Sequence, residues 1–303
     1  MLSVCLNPAW QKTLLFDGVR LGSVNRAREL HQCGGGKGVN LARALGILGA
    51  PPHLALFEGG PTGDLLQAEL AELGTTVVSV RTQAQTRTCT TVVDHGTGQV
   101  TELIEPSGSI LPDELAAMGQ EIRQALPQAA GVAICGTLPP GVPDSFYADI
   151  VRAARAAGLP VLLDGYRDVR PALREGPTIL KINAAELRHL TGRANLEDAA
   201  LECLAQYPIQ FLAITDGPRP ASLFTRQHTW QFQQPELPVR NAIGAGDCAS
   251  GAFLLGMVRG AAPADAFRYA LAAANASCLT DTPATFEPAT ADALLDRILV
   301  ERR

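Results

Sequence analysis

Short apolar runs alternate along this chain with longer stretches of helical period. The runs Leu2–Leu6, His53–Phe57, Thr76–Val80, Gly131–Cys135, Pro160–Leu163, Thr178–Lys181 and Gln210–Ile214 read as strands. Several are apolar at nearly every position, as strands buried on both faces of a parallel sheet must be. Between them, Val39–Leu48, Gly63–Leu73, Pro112–Leu126, Asp144–Ala156 and Asn195–Gln206 read as helices. Strand-helix-strand alternation predicts a doubly wound α/β fold, a mostly parallel sheet with helices on both faces. In the C-terminal third, Gly246–Val258 and Ala264–Leu279 are rich in Ala and Gly and apolar all round, which predicts buried helices.

Two stretches break the rhythm. Residues 11–30 and 87–105 are polar-alternating and rich in Thr and Val. Within the second, Thr88–Val93 and Gln99–Glu105 flank Asp94-His95-Gly96-Thr97-Gly98, the pattern of a hairpin. Hairpins inserted into an α/β core serve either as a lid over a site or as decoration of a sheet edge. With no repeat, low-complexity tract or long linker, the expectation is one domain over 1–303 carrying a small β lid.

Composition narrows the classes. At 303 residues and 47% hydrophobic, the chain can bury a core without staples. A net charge of −5 gives no basic footprint for nucleic acid or a membrane surface. No run approaches the ~20 apolar residues of a membrane helix, and the start, Met1–Pro8, lacks the basic and apolar regions of a signal peptide. Seven cysteines without a Cys-x-x-Cys pair read as free thiols in a reducing, cytoplasmic setting.

Three segments carry candidate chemistry. Asn241–Cys248 contains Gly244-Ala245-Gly246-Asp247 and runs straight into an apolar helix. Its glycines permit a tight turn and close approach of a ligand, and the helix start offers free N–H groups to an anion. Asp247 there can take a proton from an attacking hydroxyl, or can serve simply as the helix N-cap. The same glycines match a dinucleotide fingerprint, which belongs in the first strand-helix turn and not near the chain's end. The second segment, Cys33-Gly34-Gly35-Gly36-Lys37-Gly38-Val39-Asn40, bares its backbone and offers an ammonium and an amide. It is not a Walker A loop, because glycine follows Lys37 where Ser or Thr would be needed. The third, Lys181-Ile182-Asn183-Ala184-Ala185-Glu186, sets an amide and a carboxylate three apart at a strand-to-helix boundary. That spacing suits magnesium held through its waters, and equally a capping box. Arg26 and Arg87 lie in the lid stretches and can clamp an anion or stay solvated. Gly136–Gly141 follows an apolar strand at the end where open parallel sheets gather their ligands.

Taken in order, these segments resemble the ribokinase-like carbohydrate kinases, most closely the 1-phosphofructokinase and tagatose-6-phosphate kinase branch. The matching pieces run from Leu6-Asn7-Pro8-Ala9 through Val24-Asn25-Arg26, Gly35–Asn40, Thr86-Arg87, Thr101-Glu102, Glu105-Pro106, Thr137–Gly141, Leu163-Asp164, Lys181 and Asn183 with Glu186 to Gly244–Asp247. The resemblance implies phosphoryl transfer from Mg-ATP to a sugar hydroxyl in a three-layer α/β domain. It makes Asp247 the base, with Gly244, Ala245 and Gly246 holding the transferring group. It puts Gln11, Arg26, Gly35, Gly36, Lys37, Asn40, Arg87 and Thr137 on the sugar side, and Asn183 and Glu186 at Mg2+. Lys181, Asn183, Thr215, Gly217 and Asn275 fall near ATP, and a homodimer through the lid is expected. The departures all lie on the sugar side: Gln11 stands where this branch usually has Asp, Ile104 for Asn, Ser107 for Gly, and Gly165-Tyr166-Arg167 follows Asp164. A carboxylate only accepts hydrogen bonds, whereas the amide of Gln11 also donates. With the Lys37/Arg87 pair beside the intact Gly244–Asp247 loop, the expected acceptor is a ketohexose phosphate, such as fructose 1-phosphate or tagatose 6-phosphate. Alternatives are a kinase of an unphosphorylated sugar or nucleoside, a non-catalytic sugar-phosphate sensor, and, last, a nicotinamide dehydrogenase.

Overall fold

The structure, a computed structural model, describes residues 1–50 and 52–303. Its strands are β1 (Leu2–Cys5), β2 (Ala9–Phe16), β3 (Glu29–Gly35), β4 (His53–Glu58), β5 (Thr76–Arg81), β6 (Arg87–Asp94), β7 (Gln99–Ile104), β8 (Val132–Cys135), β9 (Val161–Asp164), β10 (Ile179–Asn183), β11 (Phe211–Asp216), β12 (Arg219–Phe224), β13 (Thr229–Gln233) and β14 (Leu299–Arg302). Its helices are α1 (Lys37–Ile47), α2 (Gly60–Glu72), α3 (Pro112–Ala125), α4 (Ser145–Ala156), α5 (Arg170–Arg174), α6 (Ala184–Thr191), α7 (Leu196–Gln206), α8 (Ala245–Val258), α9 (Pro263–Ser277) and α10 (Pro288–Leu295).

The large sheet has the order β14-β13-β12-β11-β10-β9-β8-β1-β4-β5. From β5 to β11 every neighbour is parallel, and β12 to β14 extend the sheet antiparallel. All seven expected strands are present within the parallel part. Strand alternation divides their side chains between two cores. Val132, Ile134, Val161 and Leu163 point into a core with Met118, Ile122, Tyr147 and Leu187 from α3, α4 and α6. Ala133, Cys135, Leu162 and Ala213 face the other core, built from α1, α8 and α9. Small strand residues on that second face let α8 lie close to the sheet. At Gly251 a Cβ would come 3.2 Å from the Leu41 carbonyl of α1, and at Gly256 2.8 Å from Ala266 Cβ of α9. This close packing on several sides explains why α8 is apolar all round.

The second sheet has four strands in the order β3-β2-β6-β7. The expected hairpin is β6–β7, paired from Cys89↔Ile104 to Asp94↔Gln99. The Asp94 carboxylate closes its turn by accepting from the Gly96 and Thr97 amides. The other lid stretch differs from the expectation at its ends: β2 starts at Ala9 and β3 continues to Gly35. Gly34 and Gly35 are therefore strand residues paired with Trp10 and Ala9, not part of an open turn. The turn narrows to Gly36, whose φ of 104° only glycine adopts readily.

Candidate active site

The site lies at the carboxyl ends of the parallel strands, under the small sheet. A cavity of about 1310 Å3 opens there, between Gln11, Thr13, Cys89 and Glu102 of the small sheet and Lys37, Asn40, Gly244 and Asp247 below. That volume exceeds the usual ~300–1,000 Å3 of a single small-molecule pocket.

Asp247 sits in the first turn of α8 and is buried. Gly244 caps the helix at φ 80°, and its carbonyl accepts from the Asp247 and Cys248 amides at 3.0 and 2.9 Å. A Cβ on Gly244 would lie 2.9 Å from Ala284 Cβ, so the turn requires glycine for both conformation and space. At Gly246 a Cβ would lie 2.7 Å from Lys181 Nζ. The missing side chain thus brings an ammonium directly beneath the turn, adding full charge to the helix-start N–H groups.

Around Asp247 the strand ends assemble a buried ionic cluster. Asp164, closing β9, receives Lys37 Nζ at 2.7 Å, Lys181 Nζ at 3.2 Å and the Ser250 hydroxyl at 2.5 Å. Lys37 also reaches Glu186 Oε1 at 3.2 Å. Burial alone would raise the Asp164 carboxyl, but Lys181 and Lys37 outweigh it and hold it well below the usual carboxylate range. Burial works against the Lys37 charge as well, yet Asp164, Glu186 and Asp247 keep it fully ammonium. Asp247 moves the opposite way. Burial first, then repulsion from Asp164, push it up to about 6 against the pull of Lys37, Lys181 and Asn40. Two carboxylates share one cluster, one permanently charged and one with the basicity of a general base.

Asn40 donates from Nδ2 to Asp247 Oδ2 at 2.8 Å. Asn7 ties the strand ends together, donating to Thr137 Oγ1 at 3.1 Å while its Oδ1 accepts from Ser107 at 2.8 Å. Arg87 donates to the Asn7 carbonyl at 3.2 Å, and its buried Nε has no partner among the described residues. Gln11 donates to Thr91 Oγ1 at 2.7 Å, which leaves Gln11 Oε1 free to accept.

Of the expected site residues, Gln11, Gly36, Lys37, Asn40, Arg87, Thr137, Gly244 and Asp247 line the cavity. Gly35 backs Gln11, its absent Cβ 3.0 Å from Gln11 Cβ. Ala245 and Gly246 form the start of α8, and Lys181 lies beneath it. Arg26 is exposed in the β2–β3 connection and does not line the cavity; Arg28 does, paired with Asp17 and Glu29 at 3.1 Å each. Asn183 and Glu186 form a capping box at α6, each side chain bonded to the other's amide at 2.8 Å. Thr215 pairs with Asn183 in register, Gly217 turns between β11 and β12 at φ 60°, and Asn275 on α9 donates to Gln234 at 2.8 Å. Lys181, Asn183, Glu186, Thr215, Gly217 and Asn275 lie outside the cavity lining.

Asp164, Ser250, Arg43 and Asn7 were not singled out as site residues from sequence. Asp164 could have been found, since it ends an otherwise apolar strand, Val161-Leu162-Leu163. Arg43 stands alone in the apolar run Leu41–Leu45. Ser250, inside an Ala/Gly helix, gives no such signal.

No group of three or more His, Cys, Asp and Glu able to hold a metal occurs among the described residues. The oxygens of Asn183 and Glu186 already accept one hydrogen bond each. Each keeps a second lone pair, so this all-oxygen set fits a hydrated magnesium ion held through its waters, without dismantling the cap.

An open α/β sheet, a glycine-bounded helix start, a buried carboxyl beside it and a covered cavity together suit phosphoryl transfer to a bound hydroxyl. Residues 5–289 match the model of the pfkB family carbohydrate kinases, and the chain belongs to that family; it is an ATP-dependent sugar kinase. Solved structures share the fold. A possible 1-phosphofructokinase from Thermotoga maritima superposes with TM-score 0.90 at 22% identity, covering 100% of this chain and 99% of that one. Phosphofructokinase-2 from Escherichia coli, in complex with potassium, gives 0.89 at 23% identity over 98% of each chain. Ribokinase from Arabidopsis thaliana, complexed with ribose and ATP, gives 0.75 at 22% over 97% and 98%.

Proposed function

We propose that this kinase phosphorylates a hydroxyl of a ketohexose phosphate of the fructose 1-phosphate or tagatose 6-phosphate type. The supporting observation is Arg87. Its side chain lines the cavity, and one of its donors is held by the Asn7 carbonyl. A guanidinium at the wall of the cavity, with further N–H groups beyond that one bond, suits a phosphate already on the sugar.

In this reading Asp247 accepts the proton of the acceptor hydroxyl while its oxygen attacks the terminal phosphorus of ATP. The bond to the bridging oxygen breaks, and ADP leaves with that electron pair. Asn40 orients the Asp247 carboxylate through its 2.8 Å hydrogen bond. The Gly244–Gly246 turn, with Lys181 below it, binds the transferring group. Asn183 and Glu186 would hold Mg2+ through its waters, and the bound ion would offset charge on the phosphates. Gln11 presents Oε1 to sugar hydroxyls. We further propose a cytoplasmic location, supported by seven free thiols, and a homodimer through the small sheet.

A panel of sugars and sugar phosphates with Mg-ATP, read as acceptor-dependent ADP release, tests the acceptor. Turnover of a ketohexose phosphate with a KM that rises about tenfold or more in Arg87→Ala supports the reading. Equal turnover of the unphosphorylated sugar, with no effect of Arg87→Ala, overturns it.

A further inference from the structure

The carboxamide of Asn40 has two ends of similar shape and opposite polarity. Which end meets Asp247 decides whether the carboxylate receives a hydrogen bond or faces a repelling oxygen. Arg43, three residues on along the same face of α1, settles this. Its Nη1 donates to Asn40 Oδ1 at 3.0 Å, which turns Nδ2 toward Asp247.

Arg43 is itself held from several elements. Its side chain is only 5% exposed, and Nη2 donates to Glu69 Oε1 of α2 at 2.8 Å and to the Gly34 carbonyl at 2.9 Å. The other oxygen of Glu69 accepts from the Gly34 amide. The ion pair therefore grips both polar backbone groups of Gly34, where β3 leaves the small sheet. A Cβ on Gly34 would lie 2.5 Å from Leu66 Cδ1 of α2, so any larger residue there must displace the tip of that side chain.

We propose that Arg43 is a positioning residue for the reaction: by fixing the Asn40 carboxamide it sets the ionisation of Asp247, and it couples that setting to the root of the small sheet. Its catalytic consequence rests on the reading of Asp247 as the base. The other groups facing Asp247 are Lys37 from α1, Asp164 from β9, Lys181 from β10, and the thiols of Cys5 from β1 and Cys135 from β8. None of them contacts the Asn40 amide oxygen that Arg43 holds.

The test is a carbon-13 NMR titration of the aspartate carboxyls, with the Asp247 signal assigned by its loss in Asp247→Asn. Arg43→Met frees the amide to turn, and the Asp247 midpoint should move up by about one pH unit. The double variant Arg43→Met/Glu69→Gln removes the buried partner charge as well. It should show the same displacement and serves if the single variant folds poorly. In an Asn40→Ala background, Arg43→Met should lose most of its effect. An unmoved midpoint in the Arg43 variants overturns the proposal. So does a displacement more than half of which survives in Asn40→Ala, since Arg43 would then act through space. The role of Asp247 as base is judged separately, by turnover of Asp247→Asn.

Discussion

At the scale of single residues, Asp247 combines two properties that oppose each other. Its carboxyl is buried beside another carboxylate, which pushes its pKa up to about 6, a value that suits the proposed role of base near neutral pH. The same shift costs stability. For a group whose folded value lies above the unfolded ~3.9, the stabilising form is the protonated one. Its contribution is complete below pH 4 and is lost as pH rises through about 6. Asp247→Asn should therefore lower turnover by about a hundredfold or more. It should also raise the melting temperature at pH 7.5, by an amount worth roughly 1–2 kcal/mol. Steady-state ADP release and a thermal melt check the two halves, and a destabilised Asn variant would contradict the burial argument. In the wild type, turnover should fall on the acid side with a midpoint near 6, as the base becomes protonated.

At the scale of elements, the parallel strand ends hold the charges and α8 closes over them. Asp164 is the keystone, with a carboxylate that neutralises Lys37 and Lys181 together. Asp164→Asn leaves the buried Lys181 ammonium without its carboxylate, and Lys37 with Glu186 alone, and should cost about 3–5 kcal/mol at pH 7, measured by chemical denaturation. Its folded pKa is depressed, so this stability is present above the unfolded value and is lost as pH falls through the folded one. The wild type and Asn variant should accordingly converge in acid. Gly244→Ala meets Ala284 at 2.9 Å in a left-handed conformation and should lose both stability and turnover. The strands and helices around this cluster were legible because buried parallel strands leave unbroken apolar runs, such as Val132–Cys135. The strands β12 to β14 went unread. They alternate with polar residues like loops, as in Thr229–Gln233, and their pairing is fixed by distant chain such as Leu299–Arg302. Within the site, glycine turns were legible from local sequence. The partnership of Asp164 with Lys37 was not, because 127 residues separate them and only the sheet order joins them.

At the scale of the whole molecule, the small sheet is unfinished as it stands. All six residues of β7 are exposed, and Leu30, Val100, Leu103 and Ile104 each leave half or more of their surface in water. Leu21 and Val24 in the β2–β3 connection are more exposed still, at 99% and 81%. Val100 and Ile104 line the cavity, whereas Leu103, next to Ile104 on the same strand, points to the opposite face. A four-stranded sheet wetted on both apolar faces is poorly supported alone, and burying such side chains is worth about 1.5–3 kcal/mol each. The proposed homodimer would cover this surface with the same sheet of a second copy, like against like, as two-fold symmetry allows. Light scattering should then give a mass near twice the 31.9 kDa of one chain. Val100→Glu together with Leu103→Glu should shift it to the single-chain mass. Because the sheet roofs the cavity, the monomeric variant should also show a raised KM for the sugar. The Asp247 cluster lies below the sheet, so nucleotide binding should persist. A wild-type chain that stays monomeric at micromolar concentration would rule out the shared sheet and leave only its cavity-facing Val100 and Ile104 to be covered by closure onto the cavity.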